Sequence, residues 1–191
     1  GYAGLVVYAD DFVGCFQYKS DAEMFYEHLK RRMKHFGLEL EESKTRLIEF
    51  GRFAERNREA RGERKPETFT FLGFTHYCSH GRTGKYRVKR KTSKKKHAKK
   101  SKEINAMIKD MRFQHINRIV KKLNEILVGY YHYYGITDNS RSLNSFYNVV
   151  RFRLFYWLNR RSQRRSYTKE GYKELLKRFP LAQPRIYVSI Y

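Results

Sequence analysis

Two adjacent carboxylates, Asp10 and Asp11, stand between two short apolar runs near the beginning of the chain. Residues 4–8 and 12–16 are rich in β-branched and aromatic residues, so they predict two strands joined by a tight turn with both carboxylates at its tip. Adjacent carboxylates repel each other, and a divalent cation offsets that repulsion. Mg²⁺ prefers such hard oxygen ligands, and a pair of ions can activate an attacking hydroxyl and stabilise a leaving oxygen. A solvated Asp-Asp turn without a metal is the alternative.

The elements after this hairpin are predicted from apolar spacing. A helix is expected over residues 20–36, with Ser20 and Glu23 forming a capping box and Gly37 following its last turn. Runs of β-branched and aromatic residues predict further strands, at residues 45–50, 69–74 and 85–89. The charged stretch 51–66 predicts a loop.

The second half of the chain changes character near residue 90, where we place a domain boundary. From there the apolar residues recur at helical spacing, which predicts a helical bundle with helices at residues 102–111, 116–134, 140–158 and 168–178. Asn139 or Ser140 is expected to cap the third of these helices. Tyr130, Tyr134 and Trp157 are expected in the core, with Tyr131 or Tyr133 more exposed.

The chain is strongly basic, with 42 Lys and Arg against 19 Asp and Glu, a formal net charge of +23. Such a surplus favours a polyanionic partner, with nucleic acid the first candidate and an anionic membrane surface the second. The densest run, residues 85–102, holds eleven basic residues and no acid. A solvated charged face is the alternative. Nucleic-acid contacts are predicted for Lys85, Arg87, Lys89, Arg90, Lys91, Lys94, Lys95, Lys96, Lys99, Lys100, Arg151, Arg160, Arg161, Arg164 and Arg165.

The two cysteines, Cys15 and Cys78, have neither the spacing of metal ligands nor that of a disulfide framework. We expect both to be reduced and buried. No apolar run is long enough to cross a bilayer, and the basic stretches carry too few large apolar residues for an interfacial helix, so no membrane partner is expected. The predicted location is the cytoplasm, in a bacterial cell, in association with nucleic acid.

Tyr8-Ala9-Asp10-Asp11-Phe12-Val13 resembles the Y-A-D-D-F-[VI] motif of reverse transcriptases, especially those of group II introns. Residues 37–46 resemble the G-L-x-L-x-x-x-K-T-x motif that follows in that family, and Phe71-Leu72-Gly73-Phe74 resembles its F-L-G-F motif. Residues 113–180 resemble the maturase-specific, or X, domain, which serves as the thumb. The resemblance therefore implies an α+β fold, with a partial polymerase palm of antiparallel β-hairpins plus a helix over residues 1–90 and an all-α thumb over residues 91–191.

The resemblance also implies roles for individual residues. Asp10 and Asp11 would be catalytic Mg²⁺ ligands, and Lys44 would lie near the incoming triphosphate. Phe71, Leu72 and Gly73 would form the primer grip. The implied activity is RNA-directed DNA polymerisation, with intron and template RNA, a DNA primer and deoxynucleoside triphosphates as partners. There are two alternatives to these roles. Lys44 would then be an ordinary surface lysine, and residues 69–74 would form a plain core strand.

The family's fingers motifs and its earlier palm Asp are absent from these 191 residues. We therefore expect this chain alone to be inactive as a polymerase. It would be a fragment, a truncated degenerate gene product, or part of a split or dimeric protein. A non-catalytic RNA-binding maturase that assists splicing is the alternative function. A retron or diversity-generating relative is a third possibility, and the maturase-like thumb argues against it.

Overall fold

The computed structural model describes residues 1–81, 83–164 and 166–190. Within them the protein has the predicted mixed α+β fold, with two small antiparallel sheets and helices dominating the C-terminal part. The chain divides into two compact units. The first unit consists of residues 1–72 and 76–88, and the second consists of residues 73–75 together with those from Lys89 onward. The assignment of these parts to a palm and a thumb stays a prediction.

A β-hairpin opens the first unit, as predicted. Strand β1 (Ala3–Tyr8) pairs antiparallel with β2 (Asp11–Phe16), and the register places Val6 opposite Val13. Tyr8 pairs with Asp11, so the turn consists of Ala9 and Asp10. The φ of Ala9 is +52°, in the left-handed region that residues other than glycine rarely adopt. A tight turn therefore holds the two carboxylates at the end of the hairpin.

Helix α1 (Lys19–His35) follows and packs against the hairpin through Phe25, whose ring centroid lies 5.1 Å from that of Phe16. The predicted capping box is wrong, because the residue at the N-cap position is Tyr18 and no side chain caps the helix. The predicted helix end is confirmed. Gly37 has a φ of +67°, and the next N–H, of Leu38, donates to the Met33 carbonyl at 2.9 Å.

Two predictions for the middle of the first unit are wrong. Residues 45–50 form no strand, and the expected loop contains helix α2 (Ala54–Ala60). Ala, Glu and Arg dominate α2, and these residues favour a helix even without an apolar face. Side chains of the predicted strand bind polar and charged neighbours, since Arg46 pairs with Glu67 and Glu49 accepts from Asn57 at 2.8 Å.

A three-stranded sheet follows, with strand order β3 (Phe69–Phe71), β4 (Phe74–His80) and β5 (Tyr86–Thr92). Leu72 and Gly73 form the turn between β3 and β4. The expectation that the cysteines are buried is wrong for Cys15, which is exposed, and Cys78 is half-buried. Both are free thiols.

The second unit is helical, as predicted. Its helices are α3 (Lys94–Met111), α4 (Ile116–Tyr134), α5 (Ser140–Leu158) and α6 (Lys169–Arg178). Helix α3 begins at Lys94 rather than at residue 102, because the Ser93 hydroxyl caps it by accepting from the Lys96 N–H at 3.3 Å. No helix within the described ranges has the length and apolarity that a bilayer span requires.

The core of the second unit lies between these helices. Its fully buried side chains include Ile104, Ile108, Ile119, Leu123, Leu127, Phe146, Val150 and Leu154. Tyr130 and Tyr134 are buried and Tyr133 is 55% exposed, as expected. Tyr131 is also buried, within the core, and its hydroxyl donates to the Ala182 carbonyl at 3.2 Å. Trp157 is only half-buried against the core.

Asn139 occupies the predicted N-cap position of α5, but its side chain does not cap that helix. It is fully buried, and its Oδ1 accepts from the Thr92 N–H at 2.8 Å. Its Nδ2 donates to the Thr92 hydroxyl at 2.9 Å and to the Tyr134 carbonyl at 2.8 Å. One amide therefore joins the end of β5, the end of α4 and the start of α5.

Candidate nucleic-acid interface

The basic run becomes β5 and the first half of α3. Lys94, Lys95, Lys96 and Lys99 are exposed, and within the part of the chain that the structure describes none of them forms an ion pair. Lys100 pairs with Glu103 at 3.1 Å. The first turn of α3 contains no acidic residue. Positive side chains at a helix N-terminus oppose the helix dipole, so a bound anion lowers the electrostatic energy here.

The lysines of α3 face away from the core. Ile104 and Ile108 are buried on the inner side of the helix. His97 also lies on that side, edge-on to Phe146 at 5.7 Å between ring centroids, and burial lowers the pKa of His97. Lys95, Lys99 and Lys102 recur at helical spacing on the outer side, where they form one cationic surface. We call this surface, consisting of Lys94, Lys95, Lys96, Lys99 and Lys102, the lysine face.

The other basic residues of the run are placed differently. Lys89 and Arg90 are half-buried in β5, and Lys91 is exposed. Lys85 and Arg87 belong to the first unit. The predicted lysine cluster is therefore brought together mainly on α3.

The predicted arginines lie in and after α5, in a stretch from Asn139 to Lys169 that contains no acidic residue. Arg151 and Arg164 are exposed. Arg160 lies over the ring of Tyr156, with its Cζ 4.2 Å from the ring centroid. Arg161 is half-buried and donates to the Gln114 carbonyl at 3.1 Å, which gives it a structural contact. Arg165 lies outside the described residues.

In the first unit, the side chains of Asp10 and Asp11 are exposed at the hairpin turn. Among the described residues, no group of three or more His, Cys, Asp or Glu side chains could hold a metal ion. The two carboxylates have the oxygen chemistry that Mg²⁺ prefers, but two ligands on an exposed turn do not complete a site. The metal role of this pair stays a prediction.

Lys44 is exposed in a turn in which its N–H donates to the Glu41 carbonyl at 3.0 Å. The Ser43 hydroxyl, which donates to the Glu41 carboxylate at 2.6 Å, and the Lys44 charge together lower the pKa of Glu41. The position of Lys44 fits an ordinary surface lysine as well as the predicted contact with a triphosphate.

The predicted primer grip lies at the turn after β3, with Phe71 and Leu72 half-buried. Leu72 and Gly73 both have positive φ, at +48° and +78°. A Cβ at Gly73 would lie 2.9 Å from the hydroxyl of Tyr134, and the Gly73 carbonyl accepts from the Ser93 N–H at 2.9 Å. Glycine is therefore required here both by the backbone and by the close aromatic ring. The grip function stays a prediction.

The family model of the group II intron maturase-specific domain matches residues 95–176. The helical part of this chain is therefore similar to the maturase-specific domain of group II intron proteins. The predicted resemblance of residues 113–180 to the maturase-specific domain is confirmed as far as residue 176. The match runs from the first turn of α3 into α6, so it includes most of the lysine face and the arginines of α5. A search of curated proteins found no match to the chain.

The maturase-specific domain also carries exposed aromatic side chains that the sequence analysis does not select. Phe113 is 65% exposed and Phe152 is 59% exposed. Phe152 falls outside the spacing of the buried residues Phe146, Val150 and Leu154, and that departure is the signal that could have identified it. Arginines lie next to both rings, with the Arg112 Cζ 4.3 Å from the centroid of Phe113 and the Arg153 Cζ 5.8 Å from that of Phe152.

Proposed function

We propose that this protein binds group II intron RNA through its maturase-specific domain, with the lysine face contacting phosphates, and that this binding supports folding of the intron for splicing. The observation that carries the proposal is the set of exposed lysines on α3 without ion-pair partners among the described residues, within a domain of the maturase family. Each lysine that contacts a phosphate releases condensed counterions, which makes binding favourable and dependent on salt.

The distribution of acids supports this choice of surface. In the first unit, some arginines pair with carboxylates, as where Arg58 binds Glu63 at 3.3 Å and Arg61 binds Glu63 at 2.7 Å. The first turn of α3 and the whole of α5 contain no acid. A cationic surface without acidic partners in its own chain attracts an external polyanion, whereas a surface whose charges are already paired attracts it weakly.

Substitution of three lysines tests the proposal. We expect the K95A/K96A/K99A variant to bind a structured RNA at least about tenfold more weakly than the parent. The slope of log K against log salt should become shallower by about two to three, because up to three phosphate contacts are lost. The measurement is fluorescence anisotropy of a labelled RNA hairpin at several salt concentrations.

The matched control is K169A/K173A/K177A, which removes the same charge from exposed positions of α6. It should change the RNA affinity by less than about threefold, the scale of a general charge effect. Equal losses in the two triple variants would mean that net charge alone, rather than the lysine face, determines binding.

We further propose that the Asp10–Asp11 turn contributes two carboxylates to a Mg²⁺ site of an RNA-directed DNA polymerase, completed by ligands that the described residues do not provide. The tight hairpin and the exposed carboxylates support this. When bound, the metal would neutralise charge on the phosphates of a deoxynucleoside triphosphate opposite a primed RNA template. Asp10 and Asp11 would hold the cation at the turn, and Lys44 would contribute positive charge near the triphosphate.

This second proposal is tested apart from RNA binding. We expect Mn²⁺, used as a paramagnetic probe, to broaden NMR signals of residues 9–11 in the parent chain and not in the D10N/D11N variant. The same variant should bind RNA as the parent does, because the hairpin lies outside the lysine face. Broadening that persists in the variant would contradict the proposal, as would templated primer extension by this chain alone.

A further inference from the structure

The outer face of α5 combines an exposed ring, Phe152, and a half-buried ring, Tyr156, with arginines. Phe152 and Tyr156 are one helical turn apart, with ring centroids 6.5 Å apart and planes inclined by 32°. The Arg153 guanidinium lies 5.8 Å from the Phe152 ring, and that of Arg160 lies 4.2 Å from the Tyr156 ring. We call these four side chains the aromatic stripe.

The stripe continues onto neighbouring side chains. Tyr156 packs edge-on against Trp157, at 5.0 Å between ring centroids, and the Trp157 indole N–H donates to Asn105 of α3 at 3.0 Å. Toward the start of α5, a shallow open depression is lined by Arg141, Asn144, Asn148 and Phe152. The whole helix face therefore presents arginines, amides and rings.

This face has a chemistry different from that of the lysine face. An ammonium group binds phosphate as a point charge, whereas a guanidinium also stacks on flat rings. An aromatic ring that is 59% exposed, as Phe152 is, contributes little to a protein core and offers a π-face to a ligand. Amide side chains such as Asn144 and Asn148 can hydrogen-bond to base edges.

We propose that the aromatic stripe binds unpaired nucleotides of RNA by stacking their bases on Phe152 and Tyr156, while Arg153 and Arg160 contact the adjoining phosphates. This rests on the proposed RNA-binding function and assigns a substrate class to a second surface of the same domain. The charge of α5 indicates which partner binds the stripe. Helix α5 carries arginines and no acid, and this charge favours a polyanion over a basic or neutral protein. The exposed ring of Phe152, next to the half-buried ring of Tyr156, then favours unpaired bases over a duplex, whose bases are already stacked.

The chain contains its own reporter for this event. Trp157 is the only tryptophan, and it touches Tyr156 of the stripe. Bases stacking on the stripe should quench or shift the fluorescence of Trp157. We expect this change with an unstructured single-stranded RNA and not with a blunt RNA duplex of the same length.

Substitution at Phe152 is the decisive test. We expect Phe152→Ala to weaken binding of the single strand at least about fivefold, the lower end of the range for losing one base-stacking ring, and to change duplex binding by less than about twofold. Phe152→Tyr should retain the affinity and Phe152→Leu should not, because stacking needs an aromatic ring rather than apolar surface. Phe36→Ala is the control, since Phe36 is 65% exposed and also has an arginine, Arg32, 5.8 Å from its ring.

The outcomes separate this inference from the proposed function. The proposed stacking site is wrong if the Phe152→Ala variant binds the single strand like the parent, or if its affinity for single strand and duplex falls equally. Neither result would contradict RNA binding by the lysine face. If neither RNA binds in a salt-dependent manner, the proposed function itself fails. Single-stranded DNA of the same sequence provides the last comparison, and tighter binding of DNA than of RNA would overturn RNA as the occupant.

Discussion

Residues with positive φ lie at two turns, the acidic turn beside Asp10 and Asp11 and the turn of the predicted primer grip. Ala9 at the acidic turn and Leu72 beside Gly73 adopt this conformation without being glycine, which costs energy that the surrounding strands must supply. At Gly73 the constraint is twofold, because the backbone is left-handed and the hydroxyl of Tyr134 leaves no room for a Cβ. The F-L-G-F motif indicates a glycine at this place, but only the fold identifies the ring that excludes a side chain.

Two glycines of the second unit should respond to alanine with opposite signs. Gly73→Ala is expected to lower the free energy of unfolding by about 1–3 kcal/mol, from left-handed strain plus the contact with Tyr134. Gly129→Ala should raise it by up to about 1 kcal/mol, because Gly129 lies within α4 with open space around a Cβ and alanine favours a helix. Urea unfolding followed by Trp157 fluorescence measures both. In a Tyr134→Phe background the cost at Gly73 should shrink, and an unchanged cost would leave backbone strain as the whole effect.

At the scale of elements, the amphipathic helices could be predicted and the connections between them could not. The apolar spacing of α4 and α5 matches their buried residues, because a helix buries one stripe of its surface. Residues 94–101 carry too few apolar residues for that signal, so the start of α3 depends on its Ser93 cap. The predicted strand at residues 45–50 is wrong because Arg46 and Glu49 pair with distant side chains, which periodicity does not encode.

Asn139 is the residue that holds three of these elements together. Asn139→Ala should lower the free energy of unfolding of the second unit by about 2–4 kcal/mol, since the Thr92 N–H and the Tyr134 carbonyl would lose a buried partner. Asn148→Ala, at an exposed position of the same helix, is the control and should stay within about 0.5 kcal/mol of the parent. Urea unfolding followed by Trp157 fluorescence distinguishes the two, and equal effects would show that the buried network contributes nothing specific.

For the whole molecule, the formal charge of +23 is by itself enough to indicate a polyanionic partner. The fold determines where that charge is available. In the first unit, carboxylates neutralise Arg58 and Arg61, and in the second the lysine face is left without acidic partners among the described residues. The aromatic stripe could not be predicted from composition. The spacing of Phe152 indicates an exposed ring, but its closeness to Tyr156 and Arg153 requires the fold.

The most direct test of RNA binding through the lysine face is the salt dependence of binding by the intact chain. The observed association constant for an RNA hairpin should be measured from about 50 to 200 mM salt, a range over which phosphate contacts change affinity strongly. We predict a slope of log K against log salt of about −3 or steeper, corresponding to about three to four phosphate contacts or more. A slope near zero would contradict this proposal, because binding would then not depend on the lysines that the fold exposes.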